Sequence, residues 1–89
     1  MQRRRRTLLS NIQIVIESGG QIMIGTIEPI SDAAVAHDGA RTLAMLRRRA
    51  DESMPALLRR LDAAIATARA TGTRVDEINL PGPSGVPLD

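Results

Sequence analysis

The sequence predicts an α+β fold: an antiparallel β-hairpin, with room for a third strand, packed against two helices in the order β-β-α-α-β. Three observations point there. Ile12, Ile14, Ile16, Ile22 and Ile24 recur at every second position on either side of a Gly-Gly pair, which is the period of a half-buried strand. Met54, Leu57, Leu58, Leu61, Ile65 and Ala68 recur at three- and four-residue spacing, which lines one face of a helix. Between these regions lies a mostly helix-forming stretch, and after Gly72 a short segment anchored by Val75 and Ile78.

Taken in order, residues 8–17 and 21–27 read as the two hairpin strands, with Ser18-Gly19-Gly20 as the loop. A three-residue loop pairs Ile16 with Ile22 and Ile14 with Ile24, so all five isoleucines share one face. A two-residue loop would split them, because a one-residue slip turns a strand's side chains to the other side. The three-residue loop needs a left-handed residue near its end, and Gly20 is placed to supply it. The second face then carries Val15, Met23 and Ile27 among polar residues, an apolar patch suited to a partner. Pro29 ends the second strand, since it cannot donate to a ladder.

Ser31 and Asp32 are good helix N-caps, and residues 32–50 read as one broken helix or two short ones, interrupted at Gly39 with Asp38 able to cap a fresh start. A strand at Thr42–Arg47 is the alternative, with Leu43, Met45 and Arg47 on one side; helix is favoured for 40–50. Residues 54–71 form the strongest helix. Ser53 caps it, Pro55 falls in the first turn where no helical bond is lost, and Gly72 supplies a left-handed stop. Residues 73–80 read as a short third strand.

At 89 residues the chain holds one domain, placed at residues 8–80, with a basic arm at 1–7 and a Pro/Gly-rich flexible tail at 81–89. All 12 basic residues are arginine, and four of them are Arg3, Arg4, Arg5 and Arg6; without that run, eight arginines face ten acids. The body is therefore slightly acidic, and the basic character belongs to the arm. The chain has no Cys, Phe, Tyr or Trp and one His, which excludes disulfides, thiolate metal sites and base stacking on aromatics. Arg5-Arg6-Thr7-Leu8-Leu9 looks like a twin-arginine export signal, but Asn11, Gln13, Glu17 and Gln21 interrupt the apolar run such a signal needs. No segment is apolar for long enough to span a membrane, and the expected location is the cytoplasm.

Catalytic, cofactor and metal residues are not found. His37 is the lone imidazole, with Asp38 beside it and Asp32 and Arg41 near; an acid or base next to a helix break is more often a cap than a catalyst. Asp76-Glu77 is too sparse for a cation site, and Gly19-Gly20 lacks the spacing of a phosphate loop. The residues with functional reach are arginines. Arg3, Arg4, Arg5, Arg6, Arg47, Arg48, Arg59 and Arg60 are candidates for phosphate or acidic-partner contacts; Val15, Met23 and Ile27 are candidates for an apolar interface. The expected function is a small, non-catalytic interaction or regulatory protein without cofactor, forming a homodimer or binding another protein. The alternative is an accessory nucleic-acid binder using the arginines.

Overall fold

Among the described residues, four strands lie side by side in chain order in one sheet, and two helices pack on it. The computed structural model describes residues 8–28 and 30–78; the arm at 1–7, Pro29 and the tail at 81–89 lie outside them. Along the chain come α1 (Ser10–Glu17), β1 (Gln21–Ile27), β2 (Ile30–His37), β3 (Thr42–Arg47), α2 (Met54–Thr71) and β4 (Val75–Asp76). β1, β2 and β3 are an antiparallel meander; β4 joins β3 in parallel after the α2 crossover. The α+β class is therefore correct, with a sheet against two helices, but the order of elements is α-β-β-β-α-β rather than β-β-α-α-β.

The first correction is at residues 10–17, which are helix rather than strand. Ile12 and Val15, three apart, enter the core with Leu9 packed beside them, while Ile14 and Ile16 face outward. The alternating isoleucines concealed this helical face. What favours the helix lies 50 residues away: the Asp62 carboxylate on α2 accepts the Ile12 backbone N–H at 2.9 Å and the Asn11 side-chain amide at 3.0 Å. It satisfies a first-turn donor that Leu9, the N-cap residue, cannot. At the other end Gly20 N–H bonds the Val15 carbonyl and Gly19 N–H that of Ile16, with Gly19 at φ 93°. That is a Schellman helix stop. The left-handed glycine is Gly19, not Gly20. Gly20 is needed for another reason: a Cβ there would collide with Val15 and with the His37 carbonyl.

The second correction covers residues 32–50. Instead of helix they form most of a hairpin, and the strand alternative at Thr42–Arg47 has the bounds of β3. Asp38 caps a turn, not a helix. Its carboxylate accepts the N–H groups of Ala40 and Arg41, both at 2.8 Å, and Gly39 adopts φ 98°. Asp-Gly between two apolar runs is a hairpin signal. Asp32 is not a helix cap either; it takes φ 52° where β2 carries an extra residue against β1, a conformation Asp tolerates better than most. A second bulge lies at Leu43, between the pairs Ala36–Ala44 and His37–Thr42. It turns Leu43 into the core beside Ala44.

α2 matches expectation at both ends. The Ser53 hydroxyl accepts the Ala56 N–H, Pro55 sits in the first turn, and Gly72 closes the helix at φ 76°; such a cap is worth about 1 kcal/mol. Leu57, Leu61, Ala64, Ile65 and Ala68 face the sheet. There they meet Ala34, Ala36, Ala44 and Leu46, so the helices and these strand residues enclose a single aliphatic core. Small alanines on the central strands let the helix layer approach closely, as a chain without aromatics requires. The third strand expected at 73–80 is present as the two-residue β4.

Candidate interaction surface

Where β3, β4 and the start of α2 meet, Arg60 holds the fold together. Its Nε and one terminal nitrogen donate to the Glu52 carboxylate at 2.7 and 2.9 Å; the other terminal nitrogen donates to both Glu77 oxygens at 2.8 and 2.7 Å. The fifth bond goes to the Arg47 carbonyl at 2.8 Å. A guanidinium has five N–H groups, and all are used. Glu52 also accepts the Arg49 backbone N–H, and Glu77 that of Arg47. The Arg60 bonds above all, and then the Arg49 N–H, hold the Glu52 carboxyl down to about 2. Glu52 reciprocates by holding Arg60 more firmly protonated, with burial opposing and Glu77 reinforcing. This cluster ties the 48–53 loop, the end of β3 and β4 to one helix.

The arginines singled out from the sequence therefore separate. Arg60 is committed to the fold, and Arg48 donates from Nε to the Glu52 carbonyl at 2.9 Å. Arg47 and Arg59 are exposed and make no salt bridge among the described residues. Arg3, Arg4, Arg5 and Arg6 lie outside the described residues. At the opposite end of α2, Arg41 and Arg69 share a shallow cleft with Asp38, and Arg74 stands in an adjoining one. Asp38 is held below its usual value by the backbone N–H groups of Arg41 and Ala40. No local sequence signal joins this second group, whose members run from Arg41 to Arg74 and meet only in the fold. His37 accepts the Gly39 N–H on Nδ1 at 3.0 Å, a role within the turn.

The apolar candidates also separate. Val15 is in the core, 1% exposed, because residues 10–17 are helix; it is not presented to a partner. Met23 is 37% exposed and Ile27 half-buried. α2 rests on β2, β3 and β4 and does not reach β1, which is left to α1. An eight-residue helix is about 12 Å long and a seven-residue strand about 23 Å. α1 turns straight into β1 at Gly20, so it shelters Ile22 at the start of the strand and leaves Ile24 38% exposed. Ile14 and Ile16 on α1 add 41% and 54% exposed isoleucines nearby in the chain. The buried hairpin face expected for Ile14, Ile16 and Ile24 does not form; all three are partly exposed. A separate apolar cleft of about 280 Å³ lies among Leu8, Leu9, Met54, Pro55 and Leu58.

No protein-family model matches the chain, and no curated protein or solved structure is significantly similar to it. Among the described residues no three acids or imidazoles gather as metal ligands. No helix there is long and apolar enough to cross a membrane.

Proposed function

We propose that this protein is a small, non-catalytic interaction module that works by self-association. The observation that carries the reading is the pair of exposed apolar side chains on β1: Ile24 on the helix-bearing face, where the helix layer stops short, and Met23 on the opposite face. A domain this small leaves little apolar surface to spare, and exposed aliphatic groups gathered along one edge strand mark an interface more often than chance exposure does. The polar groups with chemical potential support the non-catalytic half: His37 and Asp38 close a turn, and Glu52 and Glu77 are spent on Arg60. Light scattering coupled to size-exclusion chromatography tests the reading. A mass above that of the 9.6 kDa chain that rises with loading is expected; a monomer mass at every concentration up to millimolar refutes self-association.

A second reading, an accessory nucleic-acid binder, is supported by the exposed arginines at both ends of α2, among them Arg47, Arg59, Arg69 and Arg74. It would rest on phosphate contacts, since no aromatic can stack a base. Affinity for duplex or single-stranded nucleic acid should then fall steeply between 50 and 200 mM salt. Binding that is absent at low salt removes this reading.

A further inference from the structure

We propose that the second copy docks on the open edge of β1, strand against antiparallel strand, with Ile24 facing Ile24 of the partner across a two-fold axis. This rests on the self-association reading and names the surface that performs it.

The argument starts from the contrast between the sheet's two edges. A sheet edge exposes unpaired N–H and C=O groups, and proteins blunt such edges with short strands, charges or proline. The β4 edge is blunted: it is two residues long, with Arg74 and Glu77 on either side of it and Asp76 in it. The β1 edge is not. It is seven residues long, and the run from Ser18 to Ile27 contains neither a charge nor a proline. Among the described residues, no element other than β2 pairs with β1.

The occupant follows from self-complementarity. In an isologous antiparallel pair each residue meets a residue of the same strand, so a charged strand would set like charges near one another. An uncharged one meets no such penalty. Centring the axis on Ile24 places the two half-exposed Ile24 side chains together on the helix-bearing face. On the other face it sets Met23 of each copy opposite Gly25 of its partner. Among the described residues, a Cβ on Gly25 would touch nothing within 4 Å. A long flexible methionine fills such a gap well. The result is a continuous eight-stranded sheet with both helix layers on one side.

The test uses the full chain. Ile24→Lys puts two ammonium groups at the axis, and because Ile24 is half exposed the fold should survive, as circular dichroism would verify. Met23→Lys repeats the test from the other face. The dimer dissociation constant is expected to rise at least about 100-fold in both, halving the mass seen by light scattering. The chain has no cysteine, so Ile24→Cys reports the register directly: oxidation should give a disulfide-linked dimer far faster than Met54→Cys does. If the wild-type chain associates, yet both lysine variants associate equally well and Ile24→Cys does not cross-link, the β1 interface is wrong while self-association stands. A wild-type chain that stays monomeric overturns both.

Discussion

The two edges of the sheet solve opposite problems. On the β3–β4 side α2 covers the strands, Arg60 spends every donor on Glu52, Glu77 and the Arg47 carbonyl, and the edge strand is cut to two residues. On the β1 side an eight-residue helix shelters half of an uncharged seven-residue strand. The difference teaches that closure here depends on reach. α2, at 18 residues, is long enough to cross between parallel strands and cover three of them; α1 is not. Among the described residues, one edge is covered by a long helix and tied by Arg60, and the other carries a strand that the helices cover only in part.

The strongest way to break the covered side is to hollow it. Leu61 is fully buried among helix and sheet residues, and Leu61→Ala is expected to cost about 2–5 kcal/mol in urea or thermal unfolding. Ile24→Ala, on the open side, should cost well under half of that when the protein is dilute. Equal losses would mean that the two sides are not differently packed.

Next in size is a comparison of neighbours. Arg60→Ala removes five hydrogen bonds and leaves Glu52 and Glu77 facing each other unneutralised. It is expected to cost about 2 kcal/mol, as hydrogen bonds to charged groups do. Arg59→Ala, one residue away and exposed, should stay within about 0.5 kcal/mol. Chemical denaturation of the two variants side by side reads this directly.

The smallest perturbation is acid. Glu52 has an ordinary value of 4.5 and sits at about 2 in the fold. Its folded value is depressed, so its contribution is complete above about pH 4.5 and is lost as pH falls toward 2. The urea midpoint should therefore decline over that window, and Glu52→Gln, less stable at neutral pH, should show a shallower decline. A variant whose midpoint tracks the wild type throughout would remove Glu52 from the latch.

How much of this was legible in the sequence depended on distance along the chain. α2 was readable to the residue because Ser53, Pro55 and Gly72 are local signals that act on their own helix. Ser18-Gly19-Gly20 was legible as a break but not as which kind, since glycine serves a hairpin loop and a helix stop equally well; the bonds to Val15 and Ile16 decide it. Asp38-Gly39 carried a hairpin signal that the surrounding alanines, good helix formers, outweighed. α1 was illegible, because its alternating isoleucines favour a strand and its partner is Asp62, 50 residues on. The same limit applies to the candidate site. The apolar residues were visible, but which of them stay uncovered is set by where α1 ends over β1. Likewise Arg59 and Arg60 look alike until Glu52 and Glu77 converge on one of them.

The most direct measurement of the central claim is amide hydrogen exchange of β1 and β3 at several protein concentrations. The account expects the outward-facing amides of β1 to exchange quickly in dilute protein and to gain protection as concentration rises, while β3 stays protected throughout. Protection of β1 that does not change with concentration, in protein shown to associate, would contradict it.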